Sequence, residues 1–162
     1  MPYRMIVAMF LWVALDLATA TAARAQSVAD ADNTMHAMDL RMRALNTARK
    51  NLEQSGHYRD DHEADAVREI TDADVVVFAA AIKVFTVAFF ITRLQCPDDV
   101  RFSQKQFGSV VESFVTTADE ELSRVNENLG NVASPAAVAE ATKIRDVMVD
   151  LREFLKPFAG KG

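Results

Sequence analysis

The chain of 162 residues contains little cysteine, glycine or proline: one, five and four residues respectively. A single cysteine cannot form an internal disulfide, so the fold must be held together by packing rather than by covalent links. For the same reason Cys96 cannot belong to the Cys-x-x-Cys-His motif that covalent haem attachment requires. Scarce glycine and proline are typical of long helices joined by short connections.

Basic residues are also in short supply, with 18 Lys and Arg against 23 Asp and Glu. An acidic chain without a basic cluster cannot neutralise a phosphate backbone, so we expect no nucleic-acid partner. The sequence has no Gly-x-Ser-x-Gly, no His-Glu-x-x-His and no glycine-rich phosphate loop. We therefore predict a protein that is not an enzyme and has no catalytic residues.

The first 25 residues have the pattern of a secretory signal peptide. Arg4 precedes an apolar stretch, and Ala23-Arg24-Ala25 supplies the small side chains that signal peptidase needs at alternate positions. We predict that residues 1–25 are removed and that the protein is periplasmic or secreted. Residues 26–34 are small and polar and are predicted to be disordered or frayed. Residues 35–160 are predicted to form one helical domain.

Apolar residues recur at helical spacing in four segments of the remaining chain. The first helix is predicted to stop at Gln54-Ser55-Gly56. The second begins in an acidic cluster where Asp60 and Glu63 can form a capping pair, allows a kink or restart near Thr71, and must end before Pro97.

The third helix is predicted to begin at Ser103, because Gln106 stands at the position of a capping box. Gly130 suits the left-handed position after its end. Ser134-Pro135 is predicted to begin the fourth helix, since proline is tolerated at the first helical position. Four amphipathic helices with short connections predict an all-α fold, an antiparallel up-and-down four-helix bundle.

The segment Val75–Ile91 is apolar almost all the way round, with only Lys83 and Thr86 as polar interruptions. It could be the central helix of a soluble domain, or its surplus apolar area could be covered by a second copy or by another exported protein. The predicted interaction surface on this helix consists of Phe78, Ile82, Phe85 and Phe89. In the soluble case, one narrow polar side is expected to hold Asp72, Ala79, Lys83, Thr86 and Arg93.

A third alternative is a membrane span at residues 75–94. Eleven Val, Ile and Phe side chains at about −0.4 kcal/mol each favour insertion, and a central Lys83 opposes it by about 2.5–3 kcal/mol. The apolar run is nevertheless shorter than the roughly 20 residues that usually cross a bilayer. Burial within protein is therefore the preferred interpretation.

A cluster of methionines on the first helix offers the sharpest chemical alternative. Met35, His36, Met38 and Met42 carry soft thioether donors and an imidazole that suit Cu(I). We predict no cofactor, with copper as the alternative. The same methionines also fall on the apolar side of the helix, where Met fills irregular gaps in a core. Our leading hypothesis is an exported helical bundle that acts by protein contact, as a homo-oligomer or with another exported protein.

Overall fold

The computed structural model describes residues 32–56, 58–91 and 97–160. Its helices are α1 (residues 32–54), α2 (Asp61–Ile91), α3 (Pro97–Leu129) and α4 (Pro135–Leu155), followed by a short 3-10 turn, Lys156–Phe158. No strand occurs in these ranges, which confirms the predicted all-α class with four helices. The described part of α1 already includes residues 32–34. The predicted signal peptide, residues 1–25, lies outside the described residues.

Contacts between α1 and α4 show that these two helices run in opposite directions. The Nε atom of Arg41 lies 2.9 Å from Oδ2 of Asp150. Further along α1, the side-chain amide of Asn51 donates to Glu140 at 3.4 Å. Residue numbers rise along α1 and fall along α4, so the pair is antiparallel.

Helices α3 and α4 also run in opposite directions, and α3 contacts α2 as well. Arg124 of α3 lies 2.9 Å from Glu69 of α2. At the other side of α3, Nη1 of Arg152 on α4 lies 2.5 Å from Asp119. The rings of Phe107 and Phe158 meet edge to face at 6.0 Å between centroids. The last two pairs hold the end of α4 and the 3-10 turn after it against α3, at Asp119 and Phe107 respectively.

One buried stripe from each helix forms a shared core. Its members recur three and four residues apart because this spacing returns a helix to the same face. Full burial of such side chains stabilises a fold by about 1.5–3 kcal/mol each. The largest fully buried apolar residues are Phe114, Met38, Leu45, Leu52, Ile70, Ile144, Met148, Leu151, Leu155, Val77 and Val84.

The capping pair predicted at the start of α2 is present. The Glu63 N–H donates to Oδ1 of Asp60 at 2.9 Å. The predicted alternative of a restart near Thr71 is wrong, because α2 is helical throughout. The Thr71 hydroxyl donates to the carbonyl of Val67 at 2.8 Å, so its side chain binds within the helix rather than capping a new one.

The predicted start of α3 at Ser103 is wrong, since the helix already begins at Pro97. Proline at the first helical position and the acidic residues Asp98 and Asp99 after it are themselves start signals. The left-handed conformation predicted for Gly130 is also wrong. Among the described glycines, the positive φ, 66°, belongs to Gly160.

The predicted start of α4 is correct in position. Pro135 is its first residue, although the Ser134 side chain makes no capping hydrogen bond. The carbonyl of Ser134 accepts the N–H of Val138 at 2.8 Å, which closes the first turn. The proline therefore marks this boundary more reliably than the serine does.

Candidate functional site

One side of α2 exposes a continuous row of residues, which we call the α2 face. Its central seam steps by four and three residues, and a second row beside it steps by seven. Alternating steps of four and three are the spacing of a coiled-coil seam. The seam is Asp72, Val76, Ala79, Lys83, Thr86 and Phe90, and the row beside it is Val75, Ile82 and Phe89, all exposed.

The α2 face concentrates the exposed apolar surface of the described chain. Five of the seven large apolar side chains that are exposed lie on it. Phe90 is 59% exposed, Val75 and Ile82 are each 46% exposed, and Val76 is 39% exposed. The Phe89 and Phe90 rings meet edge to face at 6.1 Å. Contiguous apolar surface of this kind typically marks an interaction site.

The structure divides the predicted interaction surface in two. Ile82 and Phe89 are exposed on the α2 face. Phe78 and Phe85 are half-buried and pack against the core, and the Arg49 guanidinium lies 5.8 Å from the Phe78 ring centroid. The two phenylalanines therefore contribute to the fold.

The predicted polar side of α2 coincides with the α2 face. Ala79, Lys83 and Thr86 are exposed there, as is Asp72, while Arg93 lies outside the described residues. Sequence reasoning missed Val75, Val76 and Phe90 as members of this side. The signal was available, because Val76 and Phe90 each stand seven residues from Lys83.

Asp74 of α2 is fully buried, between α2 and α1. Its Oδ2 lies 3.4 Å from Nη1 of Arg49, while Nη2 of Arg49 binds Oδ1 of Asn46 at 2.7 Å. Among the described residues, neither Asp74 oxygen has a hydrogen-bond partner. Burial raises the pKa of Asp74 to about 7 despite the attraction of Arg49.

Glu63 is a second fully buried carboxylate, and its oxygens are well satisfied. Oε1 accepts the N–H groups of Ser134 at 2.7 Å and Ala133 at 2.8 Å, and Oε2 accepts the N–H of Arg59 at 2.7 Å. Hydrogen bonds from Ser134 and Arg59 hold the pKa of Glu63 below its ordinary value. Glu63 thus ties the start of α2 to the connection between α3 and α4.

The residues of the predicted copper site have different environments. Met38 is fully buried in the hydrophobic core. Met42 packs partly against the core, Met35 is half-buried and His36 is exposed. Packing therefore gives Met38 a role without any metal, and copper binding stays a prediction.

The acidic turn before α2 also uses its carboxylates within the fold. Asp60 caps the helix, and Glu63 accepts three backbone N–H groups. Across the described ranges, no group of three or more His, Cys, Asp or Glu side chains is arranged to hold a metal ion.

One helix of the described chain, Asp61–Phe90, is long and apolar enough to cross a membrane, judged by length and composition alone. Of its most apolar stretch, 33% is buried in the fold. Comparison of the chain with family models, curated proteins and solved structures gives no match.

Proposed function

We propose that this chain is an exported, non-catalytic protein that acts by protein–protein contact through the α2 face. In this proposal the helices form an antiparallel up-and-down bundle, and the leader that precedes them is removed on export. The observation that carries the proposal is the concentration of exposed large apolar side chains on one side of one helix.

The exposed apolar side chains of the α2 face take no part in the core of the fold. Ile70, Val77 and Val84 on the opposite side of α2 are fully buried against the other helices. An apolar side chain of this size gains about 1.5–3 kcal/mol when it is moved fully out of water. Five partly exposed ones on the α2 face therefore supply several kcal/mol towards association, which must offset the entropy lost on binding.

A membrane-anchored protein that spans the bilayer at residues 75–94 is the second candidate, favoured by the length and composition of α2. The burial of Asp74 beside Arg49 argues for the soluble bundle. A lone helix that crosses the bilayer at residues 75–94 would separate Asp74, at the edge of the span, from Arg49 on α1 and would lose this contact. A helix whose inner side completes a protein core is better explained by a protein partner on its outer side.

Fractionation of cells that express the full chain with its own leader tests the proposal. We expect the protein in the soluble periplasmic extract of a Gram-negative bacterium, with a mature N-terminus at Gln26. Recovery only in an alkali-resistant membrane pellet would contradict it and would support the span instead.

The role of the α2 face is tested in the same extract by the size of the native protein. Val76→Asp places a charge on the face, and Val149→Asp places the same charge on α4 at a nearly equal exposure, 37% against 39%. We expect wild type and Val149→Asp to elute as a complex and Val76→Asp to elute as a monomer. Equal behaviour of the two variants would overturn the proposal.

A further inference from the structure

The α2 face is complementary to itself. Building on the proposed function, we propose that its occupant is a second copy of this chain, docked antiparallel so that Asp72 of each copy lies opposite the partner's Lys83. The inference depends on the spacing of the seam, on its two charges and on the size of the residues between them.

The spacing of the seam suits a second helix with the same spacing. Steps of four and three residues keep the seam in register with a partner helix over its length. In an antiparallel pair, residues that face each other have numbers with a constant sum. A pair centred between Val77 and Phe78 places Asp72 opposite the partner's Lys83 and Val76 opposite the partner's Ala79.

The two charges of the face select this arrangement. Asp72 and Lys83 are exposed and stand eleven residues apart, close to three full turns. Neither lies within salt-bridge distance of an opposite charge in the described ranges, and Asp72 acts on Arg124 of α3 only from farther away than the ion-pair partners of that residue, Glu121 and Glu69. The antiparallel pair joins each to an opposite charge, so that two ion pairs flank the apolar centre of the interface and Thr86 and Phe90 lie beyond them.

Other arrangements are worse matched. A parallel pair in register would place Asp72 beside the partner's Asp72 and Lys83 beside the partner's Lys83, which is repulsive. Moving the antiparallel centre to Ala81 would place Lys83 against the partner's Ala79 and leave it without a carboxylate. Charge complementarity therefore favours one register.

The centre of this register is apolar and small. Val76 and Ala79 allow the two helices to approach closely, and each is exposed. Beside them the row at steps of seven brings Val75 near the partner's Ile82, both 46% exposed. The result is an apolar contact bounded by opposite charges, the usual anatomy of a specific interface.

Exchanging the two charges in the mature protein, purified after export, tests the register. We expect Asp72→Lys and Lys83→Asp each to weaken the dimer by about tenfold or more, measured by sedimentation equilibrium. We expect Asp72→Lys/Lys83→Asp to restore dissociation constants to within about threefold of wild type. Glu120→Lys, an exposed charge reversal on α3, is the matched control and should leave the constant unchanged.

Disulfide trapping gives a second readout that does not depend on affinity. In a Cys96→Ser background, a mixture of Val76→Cys and Ala79→Cys proteins should oxidise to the mixed dimer in preference to either homodimer. Circular dichroism of every variant confirms that it is folded. Preferential formation of the two homodimers would overturn the antiparallel register.

The outcomes separate this inference from the proposed function. In one outcome Val76→Asp abolishes the dimer, but Asp72→Lys/Lys83→Asp dimerises no better than the single charge reversals. That outcome would overturn the register alone. In another outcome the protein elutes as a complex in the extract but is a monomer after purification. That outcome would show that the occupant of the α2 face is not a second copy, while the proposed function by protein contact would stand. A monomer in both preparations would overturn both proposals.

Discussion

The guanidinium of Arg49 lies 3.4 Å from the buried carboxylate of Asp74, yet no hydrogen bond joins them. Arg49 and Glu53, the charged groups that act on this carboxyl, both come from α1. Burial outweighs the attraction of Arg49 and raises the pKa of Asp74 to about 7. The contact between α1 and α2 therefore contains a carboxyl group that changes charge near neutral pH.

Replacing Asp74 should change how stability depends on pH. The pKa is about 7 in the folded chain and 3.8 as its ordinary value, so the folded state binds the proton more tightly. Wild-type stability should therefore fall as pH rises from about 4 to about 7 and then level off. Asp74→Asn should remove that fall and be more stable by about 2–4 kcal/mol at about pH 8. Urea unfolding followed by circular dichroism measures it.

A surface carboxyl provides the control for this measurement. Asp150 pairs with Arg41 but its side chain is 61% exposed. Asp150→Asn should change the free energy of unfolding by less than about 1 kcal/mol at every pH. If Asp74→Asn retained the wild-type pH dependence, the buried carboxyl would not be its source.

Glu63 should have the opposite pH behaviour. Its folded pKa lies below the ordinary value of 4.5 because Ser134, Arg59 and Ala133 donate to it. Its contribution is thus fully present above about pH 4.5 and is lost as pH falls through the folded pKa. Glu63→Gln turns an amide NH₂ towards backbone donors, which should cost about 1–3 kcal/mol for each donor left unsatisfied.

Unfolding of Glu63→Gln at about pH 7 and about pH 3 checks this prediction. The loss of stability should be large at the higher pH and smaller at the lower pH, because the stabilising contribution of Glu63 decreases once the pH is below its ordinary pKa of 4.5. Glu120→Gln, exposed on α3, should cost less than about 0.5 kcal/mol. An equal loss at both pH values would show that Glu63 acts by shape alone.

The sequence predicted the parts of the fold that depend on local periodicity. The four segments and the surplus of apolar residues on α2 follow from spacing within one helix, and the start of α4 follows from the tolerance of proline at the first helical position. The start of α3 was missed because two start signals stand six residues apart, at Pro97 and Ser103. Each cap contributes only about 1 kcal/mol, so local signals alone do not decide between two such starts.

The buried carboxylates show a different limit. Asp74 follows Ile70 by four residues and precedes Val77 by three, so its spacing alone placed it on the buried side. Acidic residues are also helix-start signals, as at the restart predicted near Thr71, and the proximity of Arg49 on α1 could not be read from local spacing. The Glu63 bonds depend on the connection after α3, 70 residues away, which local patterns cannot reveal.

The methionines of α1 should behave as core residues. Met38 is fully buried, so Met38→Leu should cost less than about 1.5 kcal/mol and Met38→Ala about 2–5 kcal/mol. We expect Cu(I) titration to give the same affinity for wild type and for a variant with leucine at Met35, Met38 and Met42. Loss of tight binding in that variant would establish the alternative copper site.

Two isoleucines on α2 separate folding from association. Ile70 is fully buried and Ile82 is 46% exposed on the α2 face. Ile70→Ala should lower the free energy of unfolding by about 2–5 kcal/mol, because it leaves a cavity in the core. Ile82→Ala should lower it by less than about 1 kcal/mol in the monomer and should weaken association, because it removes apolar area from the interface. Unfolding at a concentration below dimerisation, with sedimentation above it, measures both effects. A helix surrounded by lipid would give no such division, since its two sides would meet the same solvent.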